Sequence, residues 1–433
     1  MLKYIEVKEV ILMKKRSVFL RIAASLILPL LVLSSMSISA VAEGYGWQAL
    51  ENIQNEILAN ELASQNGADS DFVGVFEPVK DSLNLNCKSA ILIEANTGAV
   101  LYEQNPDVAL PPASVTKVMT LLLVMEAIEE GKIKLDDTVS TSERAASMGG
   151  SQIFLEVGES MSVEDMLKSV IIASANDAAC ALAEYVSGSE ESFVKAMNER
   201  ARELGMTNTT FENTNGLDDT ASNHLTSARD IATMSRELIK HKKILEYSSI
   251  WMDTVRNGLF GLTNTNRLVR YYRGCTGLKT GSTSKAGFCV SATAERDGLS
   301  LICVIMGADS GDERNKAAST LLDWGFANYA IFEHDPKDLE PLKILGGEKN
   351  SVKVAYEPFS VVTEKGKSAK IKYKTELPQS ISAPVKEGDK VGEVVFSLDG
   401  KEIGRCDICA SETVDRLGFF GIWWRMLGGF LVK

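Results

Sequence analysis

Along the middle of the chain, apolar and polar positions change rhythm several times. "SAILIEANTGAVLYEQN" (89–105) sets two short apolar runs around Asn96-Thr97-Gly98, which predicts a β-hairpin. Pro111 and Pro112 then interrupt the chain, and the almost wholly apolar "KVMTLLLVMEAI" that follows predicts a buried helix. "SMSVEDMLKSVIIASANDAACALAEYVSG" (160–188) predicts another helix, with Ser162 as N-cap and Asp165 at the capping-box position. The polar "SAND" interrupts it. "SFVKAMNERARELGM" and "SARDIATMSRELIKH" carry apolar residues at helical spacing. "FCVSATAE" and "LSLICVIMGA" flank "RDG" as a second hairpin, whose nearly all-apolar partner strand is expected to be buried on both faces. "NKAASTLLDWGFANY" closes the region as a helix. A hairpin, a block of helices, then strands and a helix again predict an α+β sheet domain with a helical lobe.

The texture shifts near residue 335. "VKVAYEPFSVVTEKGKSAKIKYKTE" and "GDKVGEVVFSLDGKEIGRCDI" alternate in short strands with Gly-rich turns, which predicts a small all-β domain over 334–411. The catalytic-sized domain before it is expected over 81–333, with the boundary in the polar "EHDPKDLEP".

The two ends have patterns of their own. Lys14, Lys15 and Arg16 precede an apolar run ending in Ala40-Val41-Ala42, the n-region, h-region and cleavage site of a secretory signal peptide over 1–42. Met13 is read as the true start, and an uncleaved membrane anchor is the other reading of the same run. Residues 43–80 form a polar lead-in. At the far end (412–433), Phe419, Phe420, Trp423, Trp424, Met426, Leu427, Phe430 and Leu431 share one arc of a helical wheel. That predicts an amphipathic helix lying on a bilayer, against the alternative of a helix docked on the protein's own core.

Composition narrows the choice of partners. The chain has 433 residues and a formal net charge of −12, so nucleic acid is not expected as the main partner. Peptides and small polar substrates remain open. Seven cysteines make no tidy disulfide set. Cys289 and Cys303, inside apolar runs, are expected to be buried, and the lone "CDIC" of Cys406 and Cys409 is a weak metal signal.

Three short motifs carry the chemistry. Ser114 and Lys117 stand three residues apart at a helix start, on one helical face. A serine nucleophile needs a neighbouring base, and the three histidines (His224, His241, His334) sit in no triad-like setting. A lysine serves only when its pKa is lowered, as the positive end of a helix or a second cation would do. By itself the spacing is common. Ser174 and Asn176 break an apolar helix two residues apart, as groups facing a cleft would. Lys279-Thr280-Gly281 opens a strand, where a strand edge can pair with an extended peptide, Lys279 adds positive charge and Gly281 permits close approach.

In this order the three motifs resemble those of penicillin-binding proteins and class A β-lactamases. With "PPASVTKVMT", "ASANDAA", "NGLDD", "SARDIA", "GLKTGSTSKAGFC" and "LLDWGFANY", residues 80–410 resemble the low-molecular-mass D-alanyl-D-alanine carboxypeptidases. The resemblance implies Ser114 as the acylated nucleophile, Lys117 as its base, Ser174 as proton relay and Asn176 as a contact to the substrate amide. It also implies Lys279, Thr280 and Arg314 at the terminal carboxylate, and the backbone N–H groups of Ser114 and Ser282 as oxyanion hole, with Gly281 beside them. Peptidoglycan stem peptides and β-lactams are the implied partners, without a metal or other cofactor. The implied location is the outer face of the cytoplasmic membrane or cell wall, reached by export and held at the membrane surface by the C-terminal helix. The sequence departs from many relatives at Asn215, where they have His, and at Ser282, where they have His or Thr.

Three rivals share parts of this pattern. A class A β-lactamase requires a Glu-x-x-Leu-Asn segment that is missing between Asn176 and Lys279. A D,D-endopeptidase of cross-links and a penicillin-sensing, non-turnover wall-binding protein carry the same motifs.

Overall fold

The computed structural model describes residues 78–80, 83–217, 221–418 and 421. The expected signal peptide, nearly all of the lead-in, and residues 419–420 and 422–433 of the expected tail helix lie outside the described residues.

The first hairpin is β2 (Ser89–Glu94) and β3 (Val100–Gln104), with β1 (Val79–Lys80) running parallel to β3. The buried helix is α1 (Lys117–Glu129), preceded by one 3-10 turn, Ala113–Thr116. The long segment at 160–188 forms two helices, α2 (Val163–Ile172) and α3 (Asn176–Ser187), broken at Ala173-Ser174-Ala175. Ser162 caps α2 by accepting the Asp165 N–H at 3.1 Å, as the sequence predicts. Helices α4 (Glu190–Glu203) and α5 (Ala228–Lys240) follow. Then come β4 (Cys275–Thr283), β5 (Gly287–Arg296), β6 (Leu299–Ala308) and α6 (Gly311–Asn328).

These strands form one sheet in the order β1-β3-β2-β6-β5-β4, antiparallel except at β1. Alternation along the central strands divides the core in two. Ile91, Ile93, Ile302 and Val304 face the helical side, packed with α1, α2, α3 and α5. Ala90, Leu92, Leu301 and Cys303 face the other side, against Ala318, Leu321, Leu322 and Phe326 of α6. That two-sided cover explains why β6 is nearly all apolar. Cys289 and Cys303 are fully buried, in line with the sequence. The consequence for function is at the edge, because β4 is the last strand of the sheet and, among the described residues, no other strand pairs with its outer side.

The second, β-rich region has its own core, built from residues such as Val352, Val361, Val394, Phe396 and Ile408. Strand β7 (Tyr329–His334) leads into it and pairs with β9 (Phe359–Glu364). Its main sheet has four strands, with β8 (Val354–Tyr356) and β10 (Lys372–Glu376) at the edges and β12 (Lys401–Ala410) beside β11 (Lys390–Leu398) between them. Phe359 and Phe396 stack at 3.9 Å in its centre. Cys406 and Cys409 lie three residues apart on β12, a separation that turns the two side chains to opposite faces.

The chain remains on this region past β12. The Val414 N–H donates to the Val385 carbonyl and the Leu417 N–H to the Gly346 carbonyl, both at 2.8 Å. Here the membrane expectation is corrected. A helix needs about 20 apolar residues to span a bilayer, and among the described residues no helix is long and apolar enough to cross one. The arc of aromatic residues that suggested an anchor lies outside the described residues, and 412–417 follow the β-rich region. The expected membrane-anchored location therefore has no support in the structure.

Candidate active site

The 3-10 turn before α1 lifts Ser114 to the mouth of the helix, half-buried, with Lys117 fully buried one turn below. Lys117 Nζ donates to Ser114 Oγ at 2.9 Å, to the Asn215 carbonyl at 3.0 Å and to Ser174 Oγ at 3.4 Å. Lys279, on β4, reaches the same hydroxyl from the far side, with Nζ 2.9 Å from Ser174 Oγ and 2.8 Å from the Thr280 carbonyl. Four residues from three separate motifs thus share one hydrogen-bonded cluster. Ser174 is the bridge.

Burial drives the electrostatics. Removal from water holds the Lys117 ammonium well below its ordinary range, and the nearby Lys279 charge lowers it further, while Asp177 pulls the other way. Lys279 falls to about 7, through burial first and the Arg314 charge second. Desolvation, rather than the helix end or the second cation expected from the sequence, is the leading cause. Arg314 is itself buried, hydrogen-bonds Asn315 Oδ1 through Nε (3.1 Å) and Nη2 (3.0 Å), and has no carboxylate partner among the described residues. This corner of the cleft is therefore rich in positive charge, a setting for an anionic ligand group.

Backbone strain marks the same place. Ala113 has φ +49° and Ser174 φ +63°, left-handed values that cost a non-glycine residue roughly 1–3 kcal/mol each and persist only when the surroundings enforce them. Gly216, at φ +86°, packs so tightly against the Ala113 carbonyl that a Cβ there would overlap it. Gly281 is needed for a related reason. A Cβ on it would lie 2.7 Å from the Ser114 nitrogen and 2.9 Å from the Val115 nitrogen. The close approach for which the K-T-G glycine was expected is thus made by the serine's own turn.

The remaining sequence-derived residues sit on the same elements, α3 and β4. Asn176 starts α3, and its Nδ2 donates to the Gly149 carbonyl at 2.6 Å. Its Oδ1 is buried with no hydrogen-bond partner among the described residues. The Thr280 hydroxyl donates to Thr265 Oγ1 at 2.8 Å, and Ser282 is exposed next to Gly281. Two contributors, Asp177 and Thr265, escaped the sequence reading, and a third, Asn215, is noted there only as a departure from relatives. Asp177 pins the loop beside Asn176 by accepting the Ile153 and Leu155 N–H groups at 3.0–3.2 Å; its place inside "SAND" is the signal that could have found it. Asn215 acts on Lys117 through its carbonyl, so its side-chain identity leaves that contact untouched. Thr265 reaches Thr280 from a segment without any motif.

Residues 76–310 match the family model described as D-alanyl-D-alanine carboxypeptidase. The chain belongs to the D-alanyl-D-alanine carboxypeptidase family. It is a serine D-Ala-D-Ala carboxypeptidase, and residues 326–416 match a second model, the C-terminal domain of penicillin-binding protein 5. The carboxypeptidase is 42% identical to the D-alanyl-D-alanine carboxypeptidase DacF of Bacillus subtilis over 349 residues, 79% of this chain and 89% of that one. A D-alanyl-D-alanine endopeptidase of Pseudomonas aeruginosa is 33% identical over 49% of this chain and 69% of its own. Among solved structures, penicillin-binding protein 5 from Haemophilus influenzae superposes with a TM-score of 0.68 at 33% identity, covering 79% of the carboxypeptidase and all of that chain. Penicillin-binding protein D2 from Listeria monocytogenes, in its ampicillin-bound form, gives 0.52 at 33% identity, over 57% of this chain and 99% of that one. The mixed α+β fold with a C-terminal β domain is thus that of the penicillin-binding proteins.

Proposed function

We propose that the chain removes the terminal D-alanine from peptidoglycan stem pentapeptides through an acyl-enzyme on Ser114, and that β-lactams acylate the same atom. The observation that carries this reading is the contact of a buried, pKa-depressed Lys117 with Ser114 Oγ at 2.9 Å. Neutral Lys117 takes the Ser114 proton as Oγ attacks the carbonyl of the penultimate D-alanine. The Ser114 and Ser282 N–H groups receive the developing oxyanion. The proton passes by way of Ser174 to the departing amine, D-alanine leaves, and a water, deprotonated by Lys117, hydrolyses the ester.

Substrate positioning follows from the remaining groups. The free edge of β4 pairs with the extended peptide. Asn176 Oδ1, buried and without a hydrogen-bond partner among the described residues, accepts a substrate amide N–H. Lys279, Thr280 and Arg314 hold the terminal carboxylate. Residues 81–333 form the catalytic domain on this reading and 334–411 the β-rich one, with β7 at the seam; the separate hydrophobic core of the second region supports the division.

Incubation with a pentapeptide ending in D-Ala-D-Ala is expected to release free D-alanine over many turnovers, faster than a cross-linked stem dimer is split. Faster dimer cleavage would make the protein an endopeptidase. Covalent labelling by penicillin with no D-alanine release would make it a sensor.

A further inference from the structure

Behind Ser114 runs a line of hydrogen bonds whose direction proton counting fixes. The Glu212 backbone N–H donates to His224 Nδ1 at 3.0 Å. His224 Nε2 lies 2.7 Å from Thr116 Oγ1, and the Thr116 hydroxyl donates to the Ala113 carbonyl at 2.8 Å. A peptide N–H only donates and a carbonyl only accepts. The single proton of Thr116 is thereby committed to Ala113, so His224 carries its own proton on Nε2 and gives it to Thr116. Its Nδ1 must be bare to receive Glu212. Only the neutral Nε2–H imidazole satisfies both ends.

The line ends on one of the strained residues of the site. Ala113 is left-handed, and its carbonyl shares one rigid plane with the Ser114 N–H, pointing the opposite way. Whatever fixes the carbonyl aims that N–H. Thr116 is fully buried and His224 nearly so, with the imidazole edge-on to Phe211 at 5.7 Å, so the line is held within the protein.

We propose that His224 is a positioning residue, whose Nε2–H, acting through Thr116, anchors the Ala113 carbonyl and so aims the Ser114 N–H at the oxyanion of the acyl-transfer step. The inference rests on the reading of Ser114 as nucleophile and oxyanion donor. It assigns work to a histidine that belongs to no catalytic motif and touches no reacting atom.

An aiming device acts on the transition state, so its loss falls on kcat. Thr116→Val keeps the shape and removes the hydroxyl; Thr116→Ser keeps the hydroxyl. His224→Gln places an amide nitrogen near the position of Nε2, whereas His224→Asn places an amide near Nδ1 and leaves Thr116 without its donor. Thr116→Val and His224→Asn are expected to lower kcat for D-alanine release, and the rate of penicillin acylation, by about 10- to 100-fold with KM changed by less than about threefold. Thr116→Ser and His224→Gln are expected to stay within about threefold of the parent in kcat. Thermal melts of all four keep the comparison to folded protein, and the His224 pair decides if Thr116→Val does not fold. Equal kcat in the two His224 variants, or a parental kcat in folded Thr116→Val, overturns the proposal. Ser114→Ala separates the two levels. If it still labels with penicillin, the nucleophile reading fails; if it does not label while Thr116→Val acts normally, only the aiming role fails.

Discussion

Lys117→Met is expected to reduce penicillin acylation about 10³- to 10⁴-fold, because the Ser114 hydroxyl loses the base in contact with it. The chain should remain folded. Methionine fills nearly the same volume and removes a buried amine that is costly to protonate, so the gap left beside Ser174 and the Asn215 carbonyl is the main structural cost. Stability should even gain, most at low pH. A lysine whose folded pKa lies below its unfolded value of 10.5 releases a proton on folding in the window between the two. For Lys279 that window runs from about 7 to 10.5. Below it, native and unfolded chains are both protonated and the fold bears the full penalty of a buried charge. Stability then rises with pH through the window. Lys117 is lowered in the same direction, so the thermal midpoint of Lys117→Met should exceed the parent's more at pH 6 than at pH 9. A variant that loses acylation along with its cooperative melt would point to a structural lysine.

Gly281→Ala should be nearly as damaging for a different reason. The added methyl would lie 2.7 Å from the Ser114 nitrogen and 2.9 Å from the Pro112 carbonyl. Both neighbours are backbone, so no side chain can swing aside, and β4 must move away from the Ser114 turn. The two N–H groups assigned to the oxyanion, on Ser114 and Ser282, flank that contact. Their separation should lower kcat by about 10²- to 10³-fold, comparable to the loss of an oxyanion-hole donor. Binding of a peptide along β4 should change far less. Steady-state kinetics on the pentapeptide check this, and a loss confined to KM would mean that Gly281 serves substrate pairing instead.

Much of this site was legible in the chain because the chemistry demands residue types that folding alone does not. A lysine three residues after a serine is a common spacing by itself, but with a Ser-x-Asn break in a second apolar helix and a K-T-G strand following in order it becomes conspicuous. The elements that hold them were legible too, through Pro112 before the Ser114 turn, Ser162 as N-cap and the nearly all-apolar β6. The remainder left no trace of the same kind. Lys117 binds the Asn215 carbonyl, and a backbone acceptor has no residue signature. Thr116 and His224 meet across 108 residues of sequence, a pairing that only the tertiary fold creates. The glycine of K-T-G was noticeable, but which neighbour it makes room for depends on where the Ser114 turn lies. The membrane anchor was inferred from an apolar arc at 419–431, and the described residues just before it stay with the β-rich region instead.

The central claim is that Ser114 alone carries the acyl group. Mass analysis of the protein after exposure to benzylpenicillin, followed by mapping of the modified peptide, tests it most directly. One penicilloyl group on the peptide containing Ser114, and none on the Ser114→Ala variant, is the predicted result. An adduct that maps to another residue, or one that persists in Ser114→Ala, would contradict it.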